Sequence, residues 1–166
     1  MAGTSRAYTA AAVSKGKREA IADWLMILGA PVLFLSLSLT WSHQFSSSFL
    51  AQYGHSTALV GVPRDPTAWQ VYSVVDVLIA VLAVALLAVA LRGPRPARIA
   101  VLLGLLGILA FTVHALKTPP TIGANLFDPS LNAYSSNHPT SGSGEIVALV
   151  GVLFGIGGVA LSFTAD

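Results

Sequence analysis

Three ionisable side chains stand inside or at the edge of long apolar runs: Asp76, His114 and Glu145. Asp76 lies in WQVYSVVDVLIAVL, about two helical turns from where that run begins. An ionisable group at membrane depth costs roughly 2.5–3.5 kcal/mol on insertion scales, and such groups mark ion pathways, proton relays or ligand sites. The expected partner of Asp76 is His114, near the end of the third run, with Lys117 and Glu145 at a similar level. Acid and base brought together there would relay protons or hold a cation. The competing expectation places Asp76 at the bilayer interface, hydrogen-bonded by Ser73 or Tyr72 and by neighbouring helices.

Other chemistries find less support. The chain has no cysteine, which excludes disulfides, thiolate metal sites, iron–sulfur clusters and cysteine nucleophiles. A b-type haem needs axial ligands on facing helices, and His114 is the one histidine in an apolar run. His43, His55 and His138 fall in or beside the loops with Asp128, and none of them forms a metal-ligand spacing on a helix. Hydrolase, zincin, P-loop and dinucleotide signatures are absent, as is an aromatic-interleaved basic surface for nucleic acid. No catalytic residue, cofactor, metal or nucleic-acid partner is therefore expected.

The elements that must position these residues follow from the apolar runs. The chain is 54% hydrophobic and 10% charged, against about a quarter charged in a typical soluble domain. A chain this small with so few charges would expose large apolar patches to water. Four runs, about 24–42, 69–91, 99–116 and 145–163, approach the ~20 residues that cross a ~30 Å hydrocarbon core. Runs such as VLIAVLAVALLAVAL are apolar all round and lack the alternation of barrel strands, so each is read as a helix in lipid. The fold expected is an all-α membrane protein of four transmembrane helices in two hairpins. Residues 1–23 form a basic cytoplasmic segment, residues 24–166 the membrane domain, and 43–68 and 117–144 the outer loops.

Seven of the nine basic residues precede the first run or lie in the RGPRPAR turn: Arg6, Lys15, Lys17, Arg18, Arg92, Arg95 and Arg98. The positive-inside rule makes that side cytoplasmic, with both termini inside a bacterial plasma membrane. The first run is long for a signal-peptide core and has no nearby small-x-small cleavage site, so it reads as a span. Trp24, Trp41 and Trp69 fall near span ends and are expected as interface anchors. Phe45, Phe49 and Tyr53 recur at helical spacing and point to a short helix in the first outer loop. Pro31 is expected to kink the first span, with Ser36, Ser38 or Thr40 taking up a freed carbonyl. In the fourth run Gly151 and Gly155 form GxxxG, extended by Gly144 and Ala148. Small residues allow close helix contact, either within the bundle or at a seam between chains.

The run TAWQVYSVVDVLIAVLAVALLAVAL with its Arg/Pro turn, and the later GEIVALVGVLFGIGGVAL, resemble small four-span membrane proteins of actinobacteria. In that class an Ala-Trp pair precedes a span carrying Ser-x-x-Asp-Val, here Ser73 to Val77. The resemblance covers mainly the second to fourth spans. It implies the four-helix topology and the place of Asp76, and no activity.

The leading functional expectation is a non-catalytic membrane subunit or scaffold, packed laterally in a homo-oligomer or a larger complex with lipid and other membrane chains as its partners. The alternative is a small transporter or ion- or proton-conducting oligomer using Asp76 and His114. A membrane-embedded enzyme and a sensor or lipid-binding module are further possibilities.

Overall fold

The computed structural model describes residues 3–55, 63–120 and 139–165, with side chains from Gly16 onward apart from Tyr53 and Ala165. In chain order the elements are α1 (Gly3–Ser36), β1 (Ser42–His43), α2 (Ser47–Tyr53), α3 (Ala68–Val71), α4 (Val75–Arg92), α5 (Arg95–Lys117), β2 (Thr140–Ser141) and α6 (Ser143–Ala165). Four helices are long and apolar enough to cross a membrane, over Gly16–Ser36, Val75–Arg92, Arg95–Lys117 and Ser143–Thr164.

Their boundaries differ from the sequence expectation in two places. The first span begins earlier and ends at Ser36 rather than near 42, because α1 runs unbroken from the Ala-rich, basic N-terminal segment. Beyond Ser36 the chain tightens, with Leu37, Ser38 and Leu39 donating to carbonyls three residues back, and then becomes extended. The second expected span is two elements. One turn, α3, ends at Tyr72, whose extended backbone separates it from α4. Pro31 lies inside the continuous α1, and Ser36 Oγ donates to Leu33 O at 2.6 Å rather than to the carbonyl that Pro31 leaves free. The helix expected from Phe45 and Phe49 is α2, with the two rings stacked 5.3 Å apart. Asp128, His138 and most of the second loop fall outside the described residues, as do the side chains of Arg6, Lys15 and Tyr53.

The four long helices form a ring in the order α1, α6, α5, α4. The α1–α6 interface is the most extensive and α4–α5 the sparsest of the four. The core runs down the centre through Met26, Leu33, Leu37, Ile79, Leu86, Leu105, Val152 and Val159. Large apolar side chains such as Leu35, Val84, Leu103 and Leu153 cover the outside, the arrangement a lipid-facing surface requires.

At the end of the bundle that carries both long loops, the loop roots are tied together. Strand β1 pairs antiparallel with β2, Ser42 opposite Ser141 and His43 opposite Thr140. On its other side Thr40 bridges Thr67, Trp41 N donates to Pro66 O and Gln44 N to Arg64 O, both at 2.9 Å. Gln44 Nε2 reaches Pro120 O at 2.8 Å. Residues 40–44 are thus the middle of a small cap whose backbone groups are satisfied across three segments.

Candidate functional site

The small residues of α6 face α1. A Cβ on Gly151 would lie 2.7 Å from Leu33 N, and one on Gly144 would lie 2.5 Å from Trp41 Cδ1. Gly29 of α1 answers from its own side, where an added Cβ would stand 3.0 Å from Gly155 N. Gly155 also admits Leu86 and Leu105 from the opposite helices, and Ala148 is fully buried among them. The GxxxG stripe is therefore used within the bundle, where backbone contact replaces the hydrophobic drive that lipid removes. It leaves no small-residue seam on this face for a second chain.

Beneath the cap, the ends of α1, α4, α5 and α6 meet around three rings. Tyr72 stands edge-on to Trp41 at 5.6 Å and to Phe111 at 5.1 Å, with Trp41 and Phe111 6.4 Å apart. Trp41 is fully enclosed, and its indole donates to Ser36 O at 2.8 Å. Its expected place as an interface anchor is corrected accordingly: the helix ends five residues early and the chain turns the ring inward. Trp24 and Trp69 do face outward, at 62% and 46% exposure.

The ionisable groups at this end follow the helix dipoles. Asp76 lies in the first turn of α4 and Glu145 in the first turn of α6, where negative charge is favoured. His114 and Lys117 lie in the last turn of α5, where positive charge is favoured. Asp76 is buried, and its Oδ1 accepts from Val77 N at 2.7 Å. His114 points outward and shares a 3.2 Å hydrogen bond with Thr118. No hydrogen bond or ion pair joins Asp76 to His114 among the described residues. With α4 beginning at Val75, Asp76 is at a helix end rather than two turns deep.

Glu145 differs from the rest. Ser36, Gln44, Asp76 and Thr112 are buried and each makes a hydrogen bond. Glu145 is fully buried, and neither carboxylate oxygen has a hydrogen-bond partner. Its charge is felt by Tyr72, which precedes the α4 span. Burial first, and the Glu145 carboxylate second, push that phenol up to about 12. An enclosed carboxylate with no partner costs several kcal/mol, so such a group calls for a function or an unseen ligand. The residue type and linear depth of Glu145 were legible in the sequence. Its enclosure is set by tertiary packing at this end of the bundle, for which no local motif exists.

Elsewhere, His43 Nδ1 meets Asp65 Oδ1 at 2.5 Å on the exposed rim of the cap, and His55 is exposed. Among the described residues no three histidine, aspartate or glutamate side chains gather as metal ligands.

Fold and site together define a four-helix bundle of membrane-spanning length whose buried carboxyl group at Glu145 has no hydrogen-bond partner among the described residues. No family model, curated protein or solved structure matches the chain.

Proposed function

We propose that the protein is a small non-enzymatic membrane protein that conducts protons, with Glu145 as the proton carrier. The observation that supports this is the burial of both Glu145 oxygens without a hydrogen-bond partner. A proton needs only a carboxylate oxygen as its ligand, whereas metal ions such as Ca2+ or Mg2+ need about six or more. The cap over Glu145 is held by a few hydrogen bonds between loop roots, and parting them opens the carboxyl to the loop side. This reading takes up the transport class, the alternative expectation from the sequence, in place of the leading one of a subunit, and moves its working residue from the Asp76–His114 pair to Glu145.

The test is proton flux into proteoliposomes under an imposed potential. Glu145→Gln keeps the side-chain shape and removes the exchangeable proton, so flux falls to that of protein-free vesicles, while Asp76→Asn retains it. Equal flux for wild type and Glu145→Gln, or wild-type flux no greater than the protein-free value, rejects the reading.

The bundle sits in a bacterial plasma membrane with both termini cytoplasmic, a reading supported by the seven basic residues before α1 and around the α4–α5 turn. The natural lack of cysteine makes single-cysteine labelling from either side a direct check. Membership of the actinobacterial four-span class belongs to the same proposal.

A second reading is a non-catalytic subunit packed laterally against another chain. It is supported by the outer face of α6, where Val150, Leu153 and Phe154 surround Gly157, and a Cβ on Gly157 would meet nothing within 4 Å. Native-mass measurement after gentle extraction decides it: a stoichiometric partner lost in Gly157→Leu supports the subunit, and a lone chain rejects it.

A further inference from the structure

At the opposite end of the bundle the charges break the dipole rule. Arg92 closes α4, where a cation is favoured. Arg95 and Arg98 stand in the first turn of α5, where the helix end is itself positive. That turn has Pro94 as its N-cap, no side-chain cap and no acidic residue. Arg92 and Arg95 are exposed, and no carboxylate pairs with either among the described residues. Arg95 lies 6.0 Å above the Phe163 ring. The exposed cations Arg92 and Arg95, close to a positive helix end, are unfavourable unless an anion offsets them.

The same hairpin carries a groove. Between α4 and α5 a cavity of about 410 Å³ opens sideways, lined by Leu78, Leu82 and Ala85 on one side and by Ala100, Gly104 and Ile108 on the other. Its lining is almost wholly apolar. Gly107 forms part of the wall, and a Cβ there would meet nothing within 4 Å.

We infer that the α4–α5 hairpin binds one anionic phospholipid, its phosphate at Arg92 and Arg95 and an acyl chain in the groove. The lengths agree. From Arg92 to Leu78 is 14 residues, about 21 Å along the helix at 1.5 Å per residue. Half of a bilayer of ~40–45 Å is about 20–22 Å from headgroup to midplane. The groove occupies the inner part of that path, from Ala85 to Leu78, where an acyl tail runs once its headgroup is held at the turn. A partner helix would satisfy the groove and leave Arg92 and Arg95 without an anion; a phospholipid answers both. Basic pockets between transmembrane helices hold anionic headgroups in this way. The inference is independent of Glu145 and of the direction of proton movement.

The experiment is native mass spectrometry of the purified protein, exchanged from detergent into nanodiscs of mixed phosphatidylglycerol and phosphatidylcholine. Wild type is expected to retain one phosphatidylglycerol in preference to phosphatidylcholine. Arg92→Gln with Arg95→Gln weakens that preference roughly 30-fold, from about fivefold per arginine. Gly107→Leu projects into open space, so the fold persists, and retention falls although both arginines remain. Equal retention of the two lipids by wild type overturns the proposal, as does unchanged phosphatidylglycerol retention in the double arginine variant. A dimer that Gly107→Leu dissociates, with no lipid retained, overturns it too, because the groove then belongs to a second copy.

Discussion

The indole of Trp41 donates to the carbonyl of Ser36, five residues back, across a 2.8 Å hydrogen bond that ends α1 and lays the ring over the bundle core. The same carbonyl also accepts from Leu39 N at 3.2 Å. Trp41→Phe therefore leaves the carbonyl partnered and costs about 0.5–1.5 kcal/mol for the lost bond. Trp41→Ala also empties the space between Tyr72, Phe111 and Gly144 and costs about 3–5 kcal/mol. Thermal unfolding in a fixed detergent measures both, and equal losses would show that the ring volume contributes nothing.

The α6 glycines should rank by what surrounds each. Gly151→Ala drives a methyl group against the Leu33 backbone, which cannot step aside, and costs about 1–3 kcal/mol or more. Gly155→Ala meets the ends of the Leu86 and Leu105 side chains, which can shift, and costs less. Gly157→Ala meets nothing and gains about 0.5–1 kcal/mol from helix propensity. The order of melting temperatures in one detergent tests the ranking.

Asp76 and His114 should behave as strangers. Asp76→Asn loses charge at a helix N-terminus and costs about 0.3–1 kcal/mol, and His114→Ala on the exposed face costs under about 0.5 kcal/mol. The double variant adds the two within about 0.5 kcal/mol. A larger coupling in the cycle would mean that the two meet after all.

Alkaline titration should single out Tyr72. Its phenol is raised from 10.0 to about 12 in the folded chain, so the native state holds that proton longer than the unfolded one. The stability this confers is fully present below pH 10 and is lost as the pH rises toward 12. Ultraviolet titration of wild type shows a late step from Tyr72, and Tyr72→Phe removes that step and flattens stability across the window. A titration unchanged in Tyr72→Phe would refute the assignment.

The four apolar helices were legible in the sequence because length and all-round hydrophobicity are linear properties. What escaped were features set by contact. The break between α3 and α4 falls at Tyr72, inside a run that reads as one apolar stretch, because the ring turns toward Trp41 and Phe111. An all-round apolar helix does not announce its buried face, so the use of Gly151 and Gly155 against α1 rather than a neighbouring chain needed the fold. Asp76 drew attention by its depth within a run, yet the helix start places it in a first turn. Glu145, at the edge of its run, is the carboxyl the fold encloses without a hydrogen-bond partner.

The close seam between α1 and α6 joins the first long helix to the last. Without α6, the face of α1 holding Ala22, Met26, Gly29 and Leu33 lacks the close glycine contacts that fit against it. The bundle is complete only with the α6 glycines in place and the β1–β2 pair joining the roots of both loops. A membrane chaperone or protease surveying nascent chains would find on an unmatched α1 a face that only the final helix covers.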